Sequence, residues 1–167
     1  MTNDPKPFAH NVNNEILGLL DEDCRLSHRE LGRKLGRSPL TIKKHIDELE
    51  NEEIIKGYSA NIDYDKLGYN IIAFVEITIS KGKMLQVEKQ IANHPNVFAV
   101  YDITGTYDAL ILARFKTREE LSEMIKNIHA SQYIERTNTH LVLNVIKESS
   151  SYINLLERES KKENIIQ

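Results

Sequence analysis

The sequence predicts an α+β protein made of two unlike halves, and three observations carry that prediction. Apolar residues recur at helical spacing up to Leu49, then alternate one in two from Asn70 onward. A polar, turn-rich stretch, Asp63-Tyr64-Asp65-Lys66-Leu67-Gly68, separates the two periods. Basic residues crowd the first half: seven stand between Arg25 and His45 against one acidic residue, Glu30. The local balance is 7 − 1 = +6, in a chain whose formal total is −3.

A chain of 167 residues has room for one medium domain or two small ones. Its 40% apolar and 28% charged content is ordinary for a soluble globular protein. No apolar run approaches the length of a membrane span and no signal-peptide pattern is present, so the expectation is a cytoplasmic protein with no membrane partner. The single cysteine, Cys24, excludes an intrachain disulfide framework and suits a reducing interior. The six histidines are scattered, without HExxH, CxxC or GxSxG spacing, and there is no phosphate-binding glycine loop. No enzyme, metal site or cofactor is expected. The acidic total confines any nucleic-acid contact to the basic segment.

In chain order, residues 1–11 hold two prolines and little periodicity, and read as a flexible arm. Residues 12–54 read as a helical DNA-binding domain. Asn13 or Asn14 is expected to cap a first helix carrying Ile16, Leu19 and Leu20. Ser27 with Glu30 three residues on forms a capping box, because each side chain can satisfy a free backbone N–H at a helix start. Leu31 and Leu35 stripe that second helix, and Gly36 supplies the positive-φ stop. Ser38 followed by Pro39 restarts the chain with a hydroxyl cap and a proline at the first helical position. Ile42, Ile46 and Leu49 then form a buried face, which leaves Pro39, Leu40, Thr41, Lys43 and Lys44 outward. Two short helices around a tight turn, with charge on one side, make a basic helix-turn-helix.

Residues 55–68 read as a linker, with a short strand leaving the bundle around Ile54, Ile55 and Tyr58, then the polar turn. Residues 69–149 read as β-α-β-β-α-β, the ferredoxin-like arrangement. Its strands are Asn70 to Ser80, Val97 to Thr104, Asp108 to Phe115 and Thr137 to Lys147. Its helices are striped by Met84, Val87 and Ile91, and by Leu121, Met124, Ile125 and Ile128. Two helices cover one sheet face. The other is expected to show Ile72, Phe74, Val100, Leu110, Leu112, Val142 and Ile146, an apolar area that calls for a partner, most economically a second copy. Residues 150–167 form a tail, read as a partly helical, amphipathic segment docking on a neighbour, with a frayed end as the alternative.

Taken together, these stretches resemble the Lrp/AsnC (feast/famine) transcription regulators of bacteria and archaea. The resemblance runs from Asn13 to Ser149 and is carried by LSHRELGRKLGRSPLTIKKHIDELENEEIIKGYSANID, LGYNIIAFVEI, VFAVYDITGTYDALILARF and IERTNTHLVLNVIKES, in that order. It implies a (winged) helix-turn-helix domain and a βαββαβ effector-binding domain. It also implies dimers that often assemble into octamers, and control by an amino acid or related metabolite, although some members act without a ligand. Members commonly carry arginine in the middle of the recognition helix, where this chain has Lys43-Lys44-His45. Lysine lacks the bidentate fork that arginine offers guanine, so the operator sequence does not carry over.

For double-stranded DNA, base contacts are assigned to Pro39, Leu40, Thr41 and Lys44 at the start of the recognition helix. Phosphate contacts are assigned to Arg33, Lys34, Arg37, Ser38 and Lys43; Ser38 and Thr41 also read as helix-start residues alone, a reading of equal weight for Ser38. The resemblance places an effector between subunits at Gly105, Thr106, Tyr107 and Asp108, with Thr137 and Thr139. Backbone N–H groups at the glycine turn suit a carboxylate and Asp108 suits an ammonium. The plainer reading is a β-turn capped by Asp108. Two rival functions stand beside the regulator: a ligand-independent DNA-architectural protein, and a small-molecule-binding module with weak DNA binding.

Overall fold

The computed structural model describes residues 12–80, 82–149, 151, 153 and 155. The expected arm 1–11 and most of the tail lie outside the described residues. The chain divides into two compact units, one running through Asn61 and rejoined by the segment from Glu148, the other Ile62–Lys147.

The first unit holds three helices, α1 (Val12–Glu22), α2 (His28–Leu35) and α3 (Pro39–Asn51). Ile16, Leu31, Ile42, Ile46 and Leu49 are buried together at its centre, with Leu26, Leu35, Ile54 and Ile55 packed around them. Asn13 and Asn14 lie inside α1 and do not cap it. Nor does a strand form between α3 and β1 among the described residues. The backbone donors of Ile54 and Ile55 turn back to the Leu49 carbonyl, at 2.9 and 3.1 Å, and close the end of α3 instead of entering a sheet. The Tyr58 hydroxyl then donates to Glu50 Oε1 at 2.9 Å.

The second unit holds β1 (Ile71–Ile79), α4 (Met84–Ala92), β2 (Val97–Asp102), β3 (Ala109–Phe115), α5 (Arg118–His129) and β4 (Ile134–Leu141). The sheet runs β2-β3-β1-β4, with every neighbouring pair antiparallel. Because strand side chains alternate faces, Ala73, Val75, Ile77 and Ile79 of β1 share one side with Ala109, Ile111, Ala113 and Phe115 of β3. Helices α4 and α5 cover that side with Val87, Ile91, Leu121, Met124 and Ile128.

Three expectations for this sheet change. Ile72, expected on the open face, is buried, at 6% exposure. Val100 faces the helices, packed on the core opposite Ile111, because the register slips between Val97 and Ala99 and resets the alternation in β2. Phe98 and Tyr101 stay exposed, along with Phe74 of β1. The last strand spans Ile134–Leu141 rather than Thr137 to Lys147. It runs alongside β1, and its final rung is the Val142 N–H to the Ile72 carbonyl, next to the start of β1 at Ile71. Beyond it Leu143 and Ile146 are 91% and 93% exposed, unlike buried strand residues.

Candidate nucleic-acid interface and effector site

The helix-turn-helix is held by local bonds of the kind the sequence indicated. Ser27 Oγ accepts the Glu30 N–H, and Glu30 Oε2 accepts the Ser27 N–H at 2.8 Å. The bonds from the Ser27 hydroxyl and backbone hold the Glu30 carboxyl below its ordinary value. Gly36 ends α2 at φ 64°, in the left-handed region. Ser38 Oγ accepts the Thr41 N–H at 3.1 Å and lies 2.8 Å from Thr41 Oγ1, with Pro39 at the first helical position. The Ser38 oxygen is thus engaged as a helix cap.

One residue that holds the turn was missed in the sequence. Gly32 is buried in α2, and a Cβ there would meet the Arg37 carbonyl oxygen at 2.6 Å. The signal was a glycine inside a helical stripe, a poor helix former that marks a close approach.

Pro39, Leu40, Thr41, Lys43 and Lys44 are all exposed, Leu40 to 77%, while Ile42, Ile46 and Leu49 on the other side of α3 are buried. The basic charge is partly answered within the unit. Arg25 pairs with Asp23 at 3.0 Å, Lys43 with Asp47, and Lys44 with Glu48 at 3.8 Å. No ion pair among the described residues takes up Arg29, Arg33, Lys34 or Arg37, the exposed cations of α2 and the turn. His45 is half-buried beside Glu48, with its Nδ1 4.0 Å from Glu48 Oε2.

In the second unit the loop after β2 is tied to the end of β1. The Ile103 N–H donates to the Asp108 carbonyl, and the Asp108 N–H to the Ile77 carbonyl, both at 2.9 Å. The Ile79 N–H donates to Asp108 Oδ2 at 2.7 Å. Gly105 sits at φ 127°, which favours glycine. Thr137 stands opposite Ile77 and Thr139 opposite Val75, so β4 brings Thr137 to the same end of the sheet as Asp108. The Thr137 hydroxyl meets His129 Nε2 of α5, and the Arg136 guanidinium lies 5.5 Å over the Tyr107 ring.

Two acidic neighbours of this loop also escaped the sequence reading. Burial, then the charges of Asp102 and Asp108, push the Glu88 carboxyl up, and Glu88 Oε1 is buried without a hydrogen bond. Among the described residues, no helix is long and apolar enough to cross a membrane.

Residues 13–56 match the model described as winged helix-turn-helix DNA-binding, and residues 72–152 match that of the Lrp/AsnC ligand binding domain. An uncharacterised HTH-type transcriptional regulator of Pyrococcus furiosus is 38% identical over 137 residues, which cover 82% of this chain and 93% of that protein. Among solved structures, LrpC of B. subtilis superposes with a TM-score of 0.75 at 29% identity, covering 89% of this chain and 100% of LrpC. A transcriptional regulator of Neisseria meningitidis in complex with L-Met gives a TM-score of 0.79 at 24% identity, over 87% of this chain and 97% of that one.

Proposed function

The chain belongs to the Lrp/AsnC family of transcription regulators, and from that premise we propose that it binds specific double-stranded DNA sequences under the control of an amino acid or related small metabolite. One observation carries the DNA half: α3 buries one side completely and turns Leu40, Thr41 and Lys44 outward from its capped first turns. Side chains near the start of a recognition helix are the ones that reach base edges in the major groove. Pro39, Leu40, Thr41 and Lys44 read bases in this proposal. Arg33, Lys34 and Arg37 hold phosphates, and Ser38 and Lys43 assist at the backbone.

The effector is held between subunits at Gly105, Thr106, Tyr107 and Asp108, with Thr137 and Thr139. Asp102, Asp108 and Glu88 favour its ammonium, and glycine-turn N–H groups its carboxylate. L-Met is the first candidate, because a protein of the same fold was solved with it. The exposed sheet face with Phe74, Phe98 and Tyr101 supplies the homodimer contact, and dimers assemble further, up to octamers. The protein works in the cytoplasm, without enzymatic activity or cofactor.

The pairing of Lys43 with Asp47 and of Lys44 with Glu48 favours a second reading, a small-molecule-binding module with weak DNA binding. Footprinting upstream of its own gene separates the two. A discrete protected site supports the regulator, and no protection at any effector concentration supports the module. A thermal-shift screen against the twenty amino acids tests the effector. Stabilisation lost in Asp108→Asn is expected, and no stabilisation by any of them would remove the amino-acid reading.

A further inference from the structure

We infer that the stretch carrying Ser149, Ser151 and Ile153 is a strap docked on α1 of its own chain, tying the helix-turn-helix unit to the end of β4 by a second covalent route. The first unit is built from both sides of the second: the chain leaves it after Asn61 and rejoins it from Glu148. The Ser151 hydroxyl donates to the Asp21 carboxylate near the end of α1. The same oxygen accepts the Ile153 N–H at 3.5 Å, and the Ser149 hydroxyl accepts the Ser151 N–H at 3.1 Å, so the segment is shaped by its own serines as it arrives.

Ile153 lands on Gly18. A Cβ placed at Gly18 would stand 3.5 Å from Ile153 Cδ1 and 3.7 Å from Cγ1, ordinary contact distances. Gly18 and Asp21 are three residues apart and therefore share one face of α1. Ile16, which is fully buried, turns another face into the core that also receives Ile42, Ile46 and Leu49 of α3. A glycine inside a helix weakens it, and here it leaves the space in which Ile153 rests. An alanine fits that space, whereas a long side chain displaces the isoleucine. Helix α1 therefore carries the recognition helix on one side and Ser151 and Ile153 on another.

A unit held by one linker swings freely, while a unit held by two is restricted. On the reading that α3 binds DNA as one of a pair, the strap narrows the half-site spacings that the pair accepts.

Hydrogen exchange on the full chain tests the docking without DNA or effector. Gly18→Lys and Ile153→Asp are expected to raise amide exchange in α1 about tenfold while peptides of β1 and β3 stay unchanged, and Gly18→Ala is expected to keep the wild-type pattern. Unchanged exchange in both disruptive variants, or equal loss in Gly18→Ala, overturns the strap. A short bismaleimide across Gly18→Cys and Ile153→Cys, with Cys24→Ser, is expected to give a single-chain product. A two-chain product overturns docking within one chain. Binding to paired half-sites moved through half a helical turn is expected to fall about tenfold off the preferred spacing in wild type and to flatten in Ile153→Asp. If both bind no DNA, the functional reading fails, while the exchange result still decides the strap.

Discussion

The carbonyl oxygen of Arg37 lies where it would be 2.6 Å from a Cβ on Gly32, so α2 and the start of α3 approach as closely as backbone allows. The Arg37 N–H donates to the Gly32 carbonyl at 2.8 Å, which fixes the same two residues from the other side. Arg37 is a candidate phosphate contact, and its position depends on a residue with no side chain.

Gly32→Ala is expected to destabilise the helix-turn-helix unit by about 1–3 kcal/mol, the usual range for overpacking where the neighbour is backbone. Gly36→Ala meets nothing within 4 Å, but its φ of 64° costs a side chain about 1 kcal/mol. Calorimetry on both variants checks the order. A Gly32→Ala protein as stable as wild type would show that the turn relaxes.

Ser38 caps α3, and an acidic side chain caps as well as a hydroxyl. Ser38→Ala is expected to lose about 1 kcal/mol of stability, and Ser38→Asp to lose almost none. If Ser38 lies at a phosphate as proposed, the aspartate sets a negative charge beside the DNA backbone, and DNA affinity is expected to fall in the variant that remains stable. Equal DNA affinity in Ser38→Asp and wild type would place Ser38 away from the phosphates.

Arg37 has no carboxylate partner among the described residues, whereas Lys44 has Glu48 at 3.8 Å. Arg37→Ala is expected to weaken binding to every DNA sequence and to flatten the salt slope by about 0.9, the value for one phosphate contact. Lys44→Ala is expected to lower affinity for the specific site more than for random DNA. Gel shifts at two salt concentrations on both DNAs measure the two effects, and unchanged binding in both variants would sink the assignment.

Glu88 gives a pH signature. Burial and the charges of Asp102 and Asp108 raise its folded-state pKa above the unfolded value. A raised group supports the fold fully below the unfolded pKa and loses that support as pH rises through the folded one. At pH 7 the ionised carboxylate therefore disfavours the native state. Glu88→Gln is expected to raise the melting midpoint at about pH 7 and to leave it unchanged at about pH 4. Equal shifts at the two pH values would show that packing, not charge, sets the effect.

What the sequence determined by itself is whatever a few neighbouring residues decide. The Ser27–Glu30 capping box, the Gly36 stop, the Ser38-Pro39 restart and the outward set on α3 each depend on residues within one or two turns. The alternation in β1 is legible for the same reason, since every second residue there faces the core. The tertiary structure alone decided matters that depend on distant partners. Val100 changes face because β2 slips against β3, and the pairing of β4 with β1 ends at the Val142 N–H to Ile72 carbonyl bond. Ile54 and Ile55 close α3 rather than form a strand because the Leu49 carbonyl is there to accept them. In the candidate sites, Gly32 against Arg37, Glu88 beside Asp108, and Thr137 against His129 all join separate elements. Spacing along a chain encodes which face a side chain takes within its element, and only the packing of one element on another encodes what that face meets.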